Sequence, residues 1–302
     1  MQQHSPATPA TPATPAALPV RYVEVVAVRR TSPRMVRVTF GGDALAGFRL
    51  DGPDQQVKLY FPRQGQRAPR LPGPPADGDV MRWYQAFHAI PEDERPWARS
   101  YTVRAHHPRH DTIDIDFVLH GTGTAGGPAT RWARTAAPGD VLGMFGPSAY
   151  FARPVPLGTA DWMLLAGDET ALPAIGTLAE WLPEGARAVA YVEVADAAEE
   201  QVFDTRGDLT VHWLHRGPGA AGPGELLVRA VRAARFPAGS VFAWLAGEAG
   251  AVRALRRHLV GDRGLDKRDI EFTGYWRRAL SQDDAPTEED LAEARERLAD
   301  AQ

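Results

Sequence analysis

Hydrophobic and polar positions follow one rhythm in the first half of the chain and another in the second. Between Tyr22 and Phe40, β-branched and aromatic residues fill two stretches broken by a turn at 31–33, which predicts an antiparallel strand pair. Short strand patterns recur at 56–61, 99–104 and 112–119, separated by segments rich in Pro, Gly, Asp and Arg, and this spacing suits a small barrel or sandwich. The loop over 62–79 is long enough to be functional or mobile. From Asp161 the pattern changes. A compact apolar run ends at Gly167, and Leu172, Ile175, Leu178 and Leu182 then recur at helical spacing. Strand patterns follow at 186–195, 209–215 and 240–247, alternating with helical ones at 224–234 and 250–260. Such alternation predicts a parallel sheet covered on both faces, with its ligand crevice at the carboxyl ends of the strands. The expected class is therefore β + α/β: an N-terminal antiparallel β-barrel over 19–155, then a nucleotide-binding parallel α/β domain over 156–280.

The two ends are different again. Residues 1–18 repeat Pro, Ala and Thr without an apolar run, so they read as a disordered tail. They lack the pattern of a secretory signal, and no later segment offers the ~20 apolar residues of a membrane span, so the expected address is cytoplasmic. Residues 281–302 hold eight acids against two arginines and read as an acidic C-terminal helix started by Pro286 and Thr287. This tail carries −6 of the total charge of −4, which leaves +2 on residues 1–280. That excess is too small for a nucleic-acid partner but compatible with a local basic pocket for a small anion. The absence of cysteine excludes disulfides, thiolate nucleophiles and cysteine-ligated iron–sulfur clusters within these 302 residues. Any electrons moved here travel on a non-covalently bound carrier.

Three groups of residues can carry chemistry. In Arg99-Ser100-Tyr101-Thr102-Val103-Arg104, strand alternation sets Arg99 with Tyr101 on one face and Thr102 with Arg104 on the other; a guanidinium suits a phosphate and a phenol can lie on a flat ring, although an exposed amphipathic strand has the same pattern. Downstream, a strand ends at His120, and a glycine-rich turn leads into a short helix starting near Pro128. The first N–H groups of that helix, near Ala129 and Thr130, suit an anion. The stretch from Gly121 to Gly126 formally satisfies a dinucleotide fingerprint, but it follows antiparallel strands and opens only about two helical turns, so that reading is rejected. In the second half, Asp168, Glu169 and Thr170 follow a strand end, where they suit either a nucleotide or an ordinary helix start. Gly247 and Glu248 repeat the arrangement. Asp196, after the second strand of that half, suits a free ribose 2′-hydroxyl and leans the expectation toward NADH over NADPH. Tyr275 and Trp276 can close a core or face a ring.

The blocks at 99–104, 116–121, 127–133, 167–173 and 274–277, taken in order, closely resemble the siderophore-interacting protein family, flavin-dependent ferric-siderophore reductases of the ferredoxin-reductase-like superfamily. The resemblance spans roughly 22–278. It implies an FAD-binding barrel in which Arg99, Ser100, Tyr101, Thr102, Asp116, Val118, His120, Ala129 and Thr130 hold the cofactor. It further implies that Asp168, Glu169 and Thr170 lie beside the flavin and a nicotinamide donor admitted by the α/β domain; Asp196, Gly247, Glu248, Tyr275 and Trp276, read from the residues above, complete the candidate cofactor residues. Lys58, Arg131 and Lys267 are the candidates for the anionic ferric siderophore, with Arg109 and Arg278 as weaker ones.

A nicotinamide yields two electrons and Fe(III) accepts one, so FAD is expected between NADH or NADPH and the ferric siderophore, with Fe(II) released. Orientation and electrostatics are then the protein's work, so neither a dedicated proton-transferring residue nor a resident metal site is expected. Ferredoxin is a possible alternative donor. Two other readings use the same residues: a general NAD(P)H-flavin oxidoreductase with a quinone or protein acceptor, and a non-redox ferric-siderophore-binding protein.

Overall fold

The computed structural model describes residues 20–75, 77–121, 126–147, 155–217, 222–278, 280, 287, 288 and 292. The N-terminal tail and most of the expected acidic helix lie outside these residues.

The first half closes into a barrel. Strands β1 (Val20–Ser32), β2 (Met35–Gly41), β3 (Gln56–Phe61), β4 (Trp97–His107), β5 (Thr112–Val118) and β6 (Val141–Phe145) pair antiparallel in the order β1-β2-β5-β4-β3-β6, and β6 returns to β1. Val38, Phe40, Val57, Leu59, Phe61, Val103, Ile113, Ile115 and Phe117 fill its interior. On β5 this sends the alternating Asp114 and Asp116 to the outer wall. Two helices join the barrel. Helix α1 (Val80–His88) follows the 62–79 loop; Asp79 caps it by accepting from the Met81 N–H at 2.8 Å, and its Trp83 and Phe87 pack on the outward ring of Tyr60. Helix α2 (Pro128–Thr135) plugs one end through Trp132, which stacks on Phe40 at 6.1 Å.

The second half is a five-stranded parallel sheet in the order β11-β10-β7-β8-β9, formed by β7 (Trp162–Asp168), β8 (Arg187–Val194), β9 (Asp208–His215), β10 (Val241–Glu248) and β11 (Ile270–Trp276). Its helices are α3 (Leu172–Glu180), α4 (Glu225–Ala233) and α5 (Ala249–Gly261). One core packs against α3 and the other against α4 and α5, so both faces are covered. This is the expected barrel plus α/β arrangement, with two strands added. β6 closes the barrel, and β11 extends the sheet beyond β10, carrying the 272–276 aromatics as strand residues.

The barrel's outer wall meets α3, β10 and β11 along a polar seam. Arg104 leaves β4 at a bulge, lies against Gly176 of α3 and reaches both oxygens of Glu180 at 2.8 and 2.5 Å. A Cβ at Gly176 would come within 3.1 Å of that guanidinium. Ser32 and the Arg34 N–H donate to Glu199, which is buried. Asp54 accepts from the Trp244 indole at 2.8 Å, while its own N–H donates to Thr177. These contacts fasten the two domains at the flank of the site.

Candidate functional site

The carboxyl ends of β7, β10 and β11 meet the end of β5 around a cavity of ≈170 Å³, lined by Arg34, Leu119, His120, Asp168, Glu169, Thr170, Arg216 and Trp276, among others. Its floor is organised by Asp168, only 2% exposed. One carboxylate oxygen accepts the N–H of Thr170 at 2.8 Å and its hydroxyl at 2.5 Å. The other accepts the Glu248 N–H at 2.9 Å and the Trp276 indole N–H at 2.8 Å. Gly247 makes this possible: at φ +132° it adopts a backbone that side chains avoid, and a Cβ there would lie 2.7 Å from the carboxylate. Asp168 therefore ties three strand ends together and aims Trp276, whose ring stands 6.3 Å from that of His120. Burial lowers the His120 pKa, outweighing the attraction of Asp168, with Arg216 and Arg34 adding to the fall. The imidazole is thus held toward its neutral form.

Arg216 forms one wall. It reaches Glu169 at 2.5 Å and Glu193 at 3.1 Å. Glu193 is fully buried in β8, where it also accepts the N–H groups of Gly224 and Leu227 at 2.8 and 2.9 Å, pinning the start of α4. Burial raises the Glu169 pKa against the pull of Arg216. Neither Glu193 nor Arg216 was among the expected site residues. The available signal was a lone acid inside the apolar run YVEVA, a position that demands a buried partner.

On the barrel side, α2 packs on β4 and β5, the strands that carry residues 99–102 and 116–118, with the Trp132 ring 5.5 Å from that of Phe117. Gly127 is the N-cap of α2, no side chain caps it, and Pro128 opens it; Ala129 and Thr130 follow, both buried, with the Thr130 hydroxyl toward Val118 O at 3.4 Å. A helix start left without a side-chain cap, beside a strand carrying Arg99, fits a pyrophosphate. Among the described residues no cluster of His, Asp and Glu could hold a metal ion, and no helix is long and apolar enough to cross a membrane.

Residues 24–151 match the model of the siderophore-interacting FAD-binding domain, and residues 160–279 that of the siderophore-interacting protein. The chain is 34% identical over 266 residues to ferric vibriobactin reductase ViuB of Vibrio cholerae, covering 87% of this chain and 91% of that protein. It belongs to the siderophore-interacting protein family. The NADPH-dependent ferric-chelate reductase of Escherichia coli is 29% identical, covering 85% of this chain and 92% of that one. A siderophore utilization protein from T. fusca shares the structure with a TM-score of 0.74 and 43% identity, over 88% of this chain and 96% of that one. Solved ferredoxin-reductase and flavohaemoglobin-type domains, 12–15% identical, share the fold alone.

Within this family member the expected site residues separate into groups. Arg99 and Ser100 stand on β4, Val118 ends β5 with His120 two residues beyond it, and Ala129 and Thr130 open α2, which packs on both strands, while Asp168, Glu169, Thr170 and Trp276 line the seam cavity with His120. Gly247 and Glu248 shape that cavity from behind, Glu248 as the cap of α5. Tyr101 turns inward, its ring 4.4 Å from that of Phe117, and burial raises its phenol pKa. Thr102 and Tyr275 meet in the seam, where Tyr275 also reaches Gln56, so Tyr275 is a peg between domains while Trp276 faces the cavity. Asp116 is committed to Arg37, with bonds of 2.7 and 2.8 Å. Asp196 caps its own turn by accepting the Ala198 N–H. Thr170 does not cap α3, whose N-cap is Ala171.

Lys58 lies opposite Ser100 on the β3–β4 ribbon with its ammonium 5.8 Å over the Tyr84 ring of α1, and Arg131 stands on α2, 6.0 Å over the Trp97 ring, so both belong to the barrel and neither lines the seam cavity. Lys267 does not join them. It precedes Ile270 at the amino edge of the sheet, and six strand steps of ~3.3 Å put the Trp276 end about 20 Å away. Arg109 sits in the β4–β5 turn, at the far end of β5 from His120. Arg278 is near the cavity, donating to Pro223 O at 3.0 Å.

Proposed function

We propose that this protein is a ferric-siderophore reductase that holds FAD at the barrel and takes electrons from a nicotinamide nucleotide entering the seam cavity. The observation that carries the reading is the junction itself. The flavin-type surface of β4, β5 and α2 runs directly into His120, which belongs equally to the cavity closed by Asp168 and Trp276 at the carboxyl edge of the α/β sheet. Two partners of one electron transfer have to meet within contact range, and this is where the two domains offer surfaces to both. The ferric-reductase names of the relatives in V. cholerae and E. coli support the acceptor, and the NADPH-dependence in the latter's name supports the donor.

Arg99 and the open start of α2 would hold the FAD phosphates. FAD, when bound, supplies the exchange between two-electron and one-electron chemistry that no side chain of this chain can perform. The residues around it position and exclude. Trp276, fixed by Asp168, shields the α/β side of the cavity from water, and Arg216, fixed by Glu169 and Glu193, leaves a compensated cation on its wall. A neutral His120 adds no charge where an anionic donor has to approach. Lys58 and Arg131 would attract the anionic chelate from the barrel side. Iron is substrate, and a nicotinamide donor accords with the cytoplasmic address expected from the sequence.

FAD titration tests the cofactor site. The wild-type protein is expected to purify yellow or to bind added FAD with quenching of flavin fluorescence. Arg99→Ala should weaken that binding roughly tenfold, the worth of one charge-assisted phosphate contact of about 1.5 kcal/mol. Equal FAD affinity in the two proteins would remove Arg99 from the site, and failure of the wild type to bind FAD would overturn the reductase reading.

A further inference from the structure

The turn between β1 and β2 carries Arg34 to the rim of the seam cavity and holds its backbone on both sides. The Arg34 N–H donates to Glu199 at 2.9 Å, and its carbonyl accepts the Leu119 N–H at 2.7 Å, one residue before His120. Ser32 donates to the same Glu199, and the Gln201 amide reaches the Met35 sulfur at 3.3 Å, so both ends of the turn are pinned to the α/β domain. The Arg34 side chain takes no part in this scaffold. It is exposed, lines the cavity and makes no ion pair among the described residues. The other charges around the cavity are engaged. Asp168 accepts from Thr170, Glu248 and Trp276, and Arg216 is shared between Glu169 and Glu193. Glu199 holds the turn, Glu200 faces His215 at 2.8 Å, and Glu248 caps α5 by accepting the Ala251 N–H. Burial, with Arg216 and Arg34 adding to it, holds His120 toward its neutral form against the attraction of Asp168. Among the described residues, Arg34 is thus the cation of the cavity lining that no carboxylate pairs.

We propose that Arg34 sets the reduction potential of the flavin by compensating the negative charge that reduction places on its ring. The inference rests on the FAD site proposed above and gives the unpaired cation beside it a task. Hydride transfer adds two electrons and one proton to the oxidised ring, which gains one negative charge unless a second proton follows. The groups lining the cavity are poorly suited to deliver that proton: His120 is held neutral, and Asp168 and Glu169 are bound to their own donors. A fixed guanidinium stabilises the negative ring instead, and it keeps its charge across the working pH range. The pinned backbone keeps that charge at the cavity while the side chain stays unpaired. Its effect has a definite pH signature. Where the reduced ring carries its second proton, the ring is neutral before and after reduction and the cation has nothing to compensate. Where that proton is lost, the cation favours the reduced form and raises the potential.

The test is spectroelectrochemical titration of the FAD-loaded wild type, Arg34→Gln and Arg34→Lys between pH 5.0 and 8.5, without nucleotide, after flavin fluorescence has established equal loading. Both substitutions are at an exposed side chain and leave the backbone bonds of the turn in place. At pH 8.5, Arg34→Gln should favour oxidised flavin about tenfold more than wild type does, a fall of about 30 mV in the two-electron potential. The two curves should converge at pH 5.0. The pH at which the slope passes from two protons to one per two electrons should rise by about one unit in Arg34→Gln, and Arg34→Lys should follow wild type. A purely structural role would offset the potential alike at every pH and would not be rescued by lysine. Superimposed wild-type and Arg34→Gln curves, or an offset that does not change with pH, would overturn the assignment. Failure of the wild type to take up FAD overturns the FAD reading and this inference together, whereas full FAD uptake with superimposed curves condemns the role of Arg34 alone.

Discussion

Asp54 is the clearest place where the seam should report on pH. It sits in the barrel loop before β3, and its carboxylate faces the Trp244 indole of β10 and, at longer range, the carboxylate of Glu271 on β11. Burial pushes its pKa from 3.8 up to about 6; the Trp244 bond pulls the other way, and Glu271 adds to the rise. A carboxyl whose folded pKa exceeds its unfolded one binds more protons in the native state, so the contribution is favourable below pH 3.8 and is lost as the pH climbs through 6. At 1.36 kcal/mol per pKa unit, a rise from 3.8 to about 6 corresponds to an upper bound of about 3 kcal/mol of native-state penalty at neutral pH. Asp54→Asn removes the charge and keeps an oxygen for Trp244, at the cost of a new amide to be satisfied, so a net gain of about 1–2 kcal/mol at pH 7.5 is expected. For a chain of 302 residues that is roughly 2–3 °C in melting temperature. The assay is thermal unfolding by circular dichroism at pH 5.0 and 7.5, on both proteins. The gain should be present at pH 7.5 and shrink at pH 5.0, where the wild-type carboxyl is mostly protonated. A variant less stable than wild type at pH 7.5, or equally stabilised at both values, would refute the assignment of a buried, penalised carboxylate.

Removing Arg104 leaves Glu180 without its bidentate partner across the seam, and Arg104→Ala should cost about 2–3 kcal/mol, with Glu180→Gln costing less; scanning calorimetry of both variants checks the order. Asp168→Asn turns one acceptor oxygen into a donor facing either Thr170 or the Glu248 and Trp276 N–H groups. It should lower stability by about 3 kcal/mol and shift Trp276 fluorescence, whereas an unchanged emission spectrum relative to a Trp276→Phe reference would contradict the hydrogen bond.

The parts of this fold that a linear reading reaches are those in which each element carries its own pattern. The 56–61 strand of β3 and the two-turn α2 opened by Pro128 are of this kind, since alternation and proline placement act locally. β11 escapes such a reading because Thr273 and Gly274 dilute its apolar pattern and its pairing with β10 is settled by tertiary context. Helix α1 is legible from Asp79 with Val80, Trp83 and Phe87, but lies hidden behind a proline-rich loop. At the site, residue type was informative and direction was not. The barrel's inward turn takes Tyr101 into the core, and one step along β11 separates the seam peg Tyr275 from the cavity residue Trp276. Lys267 shows the same limit at larger scale. Closeness in sequence to Trp276 becomes the full length of a strand once the sheet is parallel.

Anaerobic stopped-flow mixing of the chemically reduced, FAD-loaded protein with a ferric siderophore tests the central claim most directly. The flavin absorbance near 450 nm should return within the mixing series while an Fe(II) chelator develops colour, and a quinone offered instead should react far more slowly. A reduced protein that stays bleached in the presence of the chelate, or that transfers its electrons to quinone alone, would contradict the account.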